Sequence, residues 1–193
     1  MFTSTSGQLA GAALAGACLT LGASWMLKRR SSYRGAPYTL AEAPLEGIIS
    51  YHHMYVDAEG NTRIKRDCSF GELIKKGYAG TPQYVRDFKG AFNVKTMVVT
   101  QQFGPNPWHY CPSPQFVVTL SGQWYIETGD GDIIVMTPGD VLYQDNTKDH
   151  PLAREGTRAA QHYSGVVPDT GPCNQLVIQV DTVPKAENAG IWS

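Results

Sequence analysis

The residues best equipped for chemistry in this chain are its five histidines and four cysteines. Neutral imidazoles bind transition metals and exchange protons near pH 7, and a cysteine thiolate is both a metal ligand and a nucleophile. Spacing sorts them. His109 and Cys111 are two residues apart and share a face if the segment is a strand, although Pro112 and Pro114 interrupt it. His52 and His53 are adjacent, so a strand turns them to opposite sides and a shared ion is not expected. His162 stands alone in its segment, where a histidine is commonly structural. Cys18, Cys68, Cys111 and Cys173 are too far apart for a disulfide scaffold, and no CxxC or CxxH pair suggests a zinc knuckle.

The elements that must position these residues are strands. Short runs rich in β-branched and aromatic residues fall at Asn93 to Gln101, Gln115 to Leu120, Gln123 to Thr128, Asp132 to Met136, Val141 to Gln144, Gln161 to Val166 and Gln175 to Val180. SerGly, GlyAspGly and ProGlyAsp breakers separate them, and no long helical pattern intervenes, which predicts an all-β sandwich or barrel. Upstream, Gly47 to Asp57 and ThrArgIleLysArg flank the turn residues AlaGluGlyAsn, which predicts a hairpin. Ser69 to Lys89 reads as loop with a short helix at GluLeuIleLysLys.

Two stretches of this array carry a resemblance. Gly104 to Gly122 reads GPNPWHYCPSPQFVVTLSG, and Gly131 to His150 reads GDIIVMTPGDVLYQDNTKDH. Together they resemble the two motifs of the cupin superfamily, and are similar to a branch with WHxxPxxQFVVxLSG and PGDVL motifs. The resemblance covers Trp108 to Val180 and implies an all-β, jelly-roll β-barrel. In that frame His109 takes the first histidine position, Cys111 the second, Gln115 the glutamate and His150 the terminal histidine, so two of four usual ligand positions are changed.

The resemblance therefore implies a candidate metal site of His109, Gln115, His150 and Cys111, holding a divalent transition metal such as iron, zinc or manganese. A glutamine in place of a carboxylate removes one negative charge and weakens the hold on a divalent ion. If Gln115 points inward, strand alternation carries Val117 and Thr119 in with it and sends Phe116, Val118 and Leu120 outward. Trp108, Tyr110 and Tyr143, with Val117, Thr119 and His162, are the expected pocket lining, since aromatic walls with few polar groups suit a small molecule. Asp130 and Asp140 sit in turns and read as structural. Two functions follow from the family: a metal-dependent enzyme of dioxygenase, isomerase, lyase or decarboxylase class, or a non-catalytic ligand-binding or scaffolding module. Cupin barrels often pair through exposed strands, so a homodimer is expected.

Composition narrows the partners. Sixteen basic residues balance seventeen acidic ones, and no basic stripe with interleaved aromatics occurs, so nucleic acid is not an expected partner. Gly7 to Leu27 contains no charged residue and is followed by Lys28, Arg29 and Arg30. About 20 apolar residues in a helix cross a bilayer core of about 30 Å, so this run predicts one N-terminal hydrophobic helix acting as membrane anchor. The positive cluster after it places the rest of the chain on the cytoplasmic side. The alternative is a targeting sequence, cleaved for an organelle or for secretion, although MetPheThrSerThrSer lacks a charged n-region. The expected organisation is an anchor or targeting segment at 1–30, a linker at 31–46, one cupin domain at 47–182 and a tail at 183–193.

Overall fold

The computed structural model describes residues 49–154, 157–184 and 189–192. The anchor and linker expected from the sequence lie outside these residues. Among the described residues no helix is long and apolar enough to cross a membrane.

The described chain is all-β. Its strands are β1 Ser50–Val56, β2 Thr62–Ser69, β3 Ile74–Tyr78, β4 Thr81–Val85, β5 Val94–Gln102, β6 Asn106–His109, β7 Gln115–Ser121, β8 Trp124–Thr128, β9 Ile133–Met136, β10 Val141–Gln144, β11 His162–Val166 and β12 Cys173–Val180. They form a six-stranded sheet, β2-β1-β10-β7-β12-β5, a four-stranded sheet, β6-β11-β8-β9, and a separate β3-β4 hairpin. All pairings are antiparallel except β1 with β10. Each strand predicted downstream of residue 92 is present within two residues of its expected limits, and β6 is additional.

The short helix expected at GluLeuIleLysLys is instead the start of β3. Gly77 disfavours helix there, and Ala79 and Gly80, at φ of 46° and 80-odd degrees of the same sign, close a two-residue hairpin of the type that matches strand twist.

Two apolar layers flank the six-stranded sheet. Met54, Val117 and Leu142 from that sheet meet Trp124, Ile126, Ile134 and Met136 from the four-stranded sheet, giving the core between the sheets. Alternation sends Tyr51, Phe116 and Tyr143 to the opposite face, where Cys68, Val180 and Trp192 join them, backed by Phe70, Phe88 and Phe92. The stretch read as a tail thus supplies a core residue. The Trp192 backbone N–H donates to Tyr51 Oη at 3.0 Å, and the Gly190 N–H donates to His53 Nδ1 at 3.0 Å.

Turns hold the strands in register. At Gly122, φ is 73° and an added Cβ would lie 2.4 Å from the Pro172 carbonyl oxygen, so only glycine fits between β7 and β8. Asp140 accepts hydrogen bonds from the Thr137 N–H and hydroxyl, and Asp130 accepts one from Thr128 and pairs with Arg63. Both are turn residues with structural bonds, as expected. The β5 edge is exposed along its apolar residues, with Met97 65% and Val99 72% accessible.

Candidate functional site

The site is built from the inner faces of β7, β10 and β12. Gln144 stands opposite Gln115 on one side and Gln179 stands opposite it on the other. Directly opposed residues share a face, so three glutamines form one row across three strands. The next row inward is Leu142, Val117 and Val177. Beyond it lie Thr119 and Gln175. This pattern comes straight from alternation in QFVVTLS and CNQLVIQV, where every second residue points between the sheets.

From these rows Gln115, Gln144, Gln179, Val117, Val177 and Gln175 wall a cavity of about 460 Å³. Gln102, Gln115, Gln144, Gln175 and Gln179 supply amides, Thr100 and Ser164 hydroxyls, and Val98, Val117, Val177, Phe103 and Trp124 apolar surface. Gln101, Asn106 and His162 complete the polar lining, and no Asp, Glu, Lys, Arg or Cys lines the cavity among the described residues. Gln179 Nε2 donates to Gln115 Oε1 at 3.2 Å, and Trp124 Nε1 donates to Thr119 Oγ1 at 2.8 Å. Gln144, only 4% exposed, lines the cavity with a side-chain oxygen that has no hydrogen-bond partner among the described residues.

The three candidate histidines occupy different positions. His162 on β11 is directly opposite His109 on β6, with ring centroids 4.2 Å apart. Asn146 Nδ2 reaches both the Ala160 carbonyl oxygen at 3.1 Å and His162 Nδ1 at 2.9 Å. A carbonyl only accepts, so the amide nitrogen faces both groups, His162 Nδ1 accepts, and the neutral ring carries its proton on Nε2. Burial, with a smaller contribution from His109, lowers the His162 pKa to about 3, so the ring is neutral. His109 is half-buried and its Nδ1 donates to the Pro107 carbonyl oxygen at 2.6 Å, which leaves the lone pair on Nε2. His150 is buried outside the cavity wall, and its Nδ1 accepts the Leu152 N–H at 3.1 Å.

Cys111 is 2% exposed and its Sγ lies 3.8 Å from the Gln144 carbonyl oxygen, the contact of a thiol. Burial first, and the Asp145 charge second, push its pKa well above 9, so it is not a thiolate at neutral pH. Of the four residues aligned with ligand positions, Gln115 alone lines the cavity. No three His, Cys, Asp or Glu residues come together as a metal-ligand group among the described residues. His162 offers an N–H rather than a lone pair, and the remaining cavity donors are neutral amides and hydroxyls. This donor set does not fit a divalent transition metal, which favours imidazole, thiolate or carboxylate.

Of the expected pocket residues, Val117 and His162 line the cavity, and Thr119 faces the same interior, holding the Trp124 indole. Tyr143 does not line it: alternation on β10 turns Leu142 and Gln144 inward and Tyr143 to the outer aromatic layer. Trp108 packs against Tyr163 and under the Arg158 guanidinium, away from the wall, and Tyr110 is half-buried outside it. Gln144, Gln175 and Gln179 were legible as alternating strand residues but not as a site, because glutamine spacing carries no motif of its own.

No family model and no curated protein matches the chain. Among solved structures it is similar to a protein from Neisseria meningitidis (10% identity, 47% of this chain and 82% of that one, TM-score 0.33). A cupin-2 domain containing protein from Shewanella frigidimarina is similar at 13% identity, covering 47% of this chain and 79% of that one, with a TM-score of 0.32. A cupin domain from Bordetella pertussis is similar at 16% identity, covering 47% and 92%, with a TM-score of 0.31.

Proposed function

We propose that this protein is a cupin-type ligand-binding module that takes an uncharged small organic molecule into its barrel and is held at a membrane by residues 7–27. The observation that carries this reading is the cavity wall: amides, hydroxyls and apolar side chains, with a neutral His162 and no ionised group among the described residues. A charged guest would leave water for a site with no counter-ion, a cost that neutral hydrogen bonds offset only in part. A neutral guest loses little on entry and gains both apolar contact with Trp124 and Val117 and hydrogen bonds to the amides. A volume of about 460 Å³ is suited to such a molecule.

Binding is favoured over turnover by the same wall. Acid–base or nucleophilic catalysis needs a titrating or activated group against the substrate. His162 spends its lone pair on Asn146, and Cys111 is a buried thiol away from the cavity. The uncharged run Gly7 to Leu27, followed by Lys28, Arg29 and Arg30, supports the tether and a barrel on the cytoplasmic side.

Ligand-observed NMR with a mixed fragment set tests the binding reading. Uncharged fragments should bind, and Val117→Trp, which fills the cavity, should abolish their signals. Equal binding of charged and uncharged fragments, or binding unaffected by Val117→Trp, would sink it. Alkaline carbonate extraction tests the tether: the chain should stay with the membrane pellet, and release into the supernatant would refute it.

A further inference from the structure

Gln144 differs from the other glutamines of the wall. Gln115 receives an N–H from Gln179, and Gln175 donates to Gln102 at 3.5 Å, so these amides answer one another across the strands. The Gln144 side-chain oxygen is enclosed and has no hydrogen-bond partner among the described residues, and the residue is only 4% exposed. Buried amides in folded proteins are nearly always paired, and one that lines a cavity finds its partner in what enters the cavity.

The strand fixes where that amide points. Gln144 is the last residue of β10, between Gln115 of β7 and Met54 of β1, and Leu142 beneath it packs in the core. Its backbone carbonyl faces Cys111 Sγ and the next residue, Asp145, donates its N–H to the Met54 carbonyl at 3.2 Å. The side chain is therefore the part of Gln144 left to act in the cavity. A primary amide presents a C=O acceptor beside an N–H donor in one plane. Its full complement is another amide edge, which offers an N–H and a C=O in the same plane and satisfies both atoms at once.

We propose that Gln144 is the recognition residue of the cavity and that the ligand it selects carries a neutral amide edge, as in a lactam or carboxamide. This rests on the binding reading above. His162, on the facing sheet, adds a second donor at the cavity wall, because its proton is held on Nε2 by Asn146. Trp124 supplies a flat apolar surface beside them, which suits a ring-bearing amide.

The test uses the full chain in detergent and two neutral bicyclic probes of the same skeleton, 3,4-dihydroquinolin-2-one and 2-tetralone, which differ by N–H for CH2. Calorimetric titration should show the lactam binding about tenfold tighter or more, because the ketone leaves the Gln144 oxygen unpaired. In Gln144→Leu the two affinities should converge, through loss of lactam affinity. If both probes bind wild type equally, amide recognition by Gln144 is overturned while the binding reading stands. If neither probe nor any other uncharged fragment binds, both fail. The wild-type comparison decides the matter even if Gln144→Leu does not fold.

Discussion

Asn146 donates a hydrogen bond at 2.9 Å to His162 Nδ1, and this one contact decides what the most buried candidate histidine can do. A ring whose Nδ1 lone pair is used in this way keeps its proton on Nε2 and presents a donor. It is a hydrogen-bonding wall of the cavity and a poor metal ligand.

Asn146→Ala should release that arrangement. The Ala160 carbonyl and His162 Nδ1 both lose their donor, which should destabilise the fold by about 1–3 kcal/mol. Imidazole 15N NMR should show a single Nε2–H tautomer for His162 in wild type and a mixture in the variant. A wild-type spectrum with the proton on Nδ1 would contradict the assignment.

His162 also sets a pH dependence. Its ring titrates near 6.5 when unfolded and near 3 when folded. Below pH 6.5 the unfolded chain takes up a proton that the folded protein refuses. Stability therefore falls as pH drops from about 6.5 toward 3, by up to about 1.4 kcal/mol per unit from this group, and is flat above about 7. Urea unfolding at several pH values should show this slope, and His162→Gln should remove about one proton's worth of it. An unchanged slope in the variant would refute the shift.

The outer aromatic layer should matter to stability and not to the cavity. Trp192 is 7% exposed and contacts Phe88, Phe92, Phe116 and Tyr143. Trp192→Ala should cost about 3–5 kcal/mol in urea unfolding, because it opens a void that the surrounding rings cannot fill. Any ligand that binds wild type should bind the folded fraction of the variant with unchanged affinity. A loss below about 1 kcal/mol would mean that this segment does not dock.

Cys111 should be chemically silent. With burial and Asp145 both raising its pKa, alkylation by iodoacetamide at pH 8, mapped by mass spectrometry, should miss it in the native protein and label it in urea. Rapid native labelling would return it to the list of reactive thiols.

Much of this fold was legible because alternation and turn residues act locally. QFVVTL, DIIVM, VLYQ and QLVIQV each became a strand, and the inward set Gln115, Val117 and Thr119 followed from Gln115 alone. The β3-β4 hairpin is not legible locally because GluLeuIleLysLys has helical residue types, and only the AlaGly turn after it opposes them. The site was less legible. His150 and Cys111 stand at motif positions in the sequence, whereas their placement depends on the loop after β10, where Cys111 bridges to Thr147 and His150 bonds the turn that follows. The glutamine row depends on the register of β7, β10 and β12, which no single segment reveals.

The central claim is that the cavity is built for an uncharged guest, and the most direct measurement is calorimetric titration of the full chain with benzamide and benzoate, planar molecules of equal heavy-atom count that differ in charge. The account predicts measurable binding of benzamide, with benzoate weaker by about a hundredfold or more, since a carboxylate would be buried without a counter-ion. Benzoate binding as tightly as benzamide, in the same cavity, would contradict it.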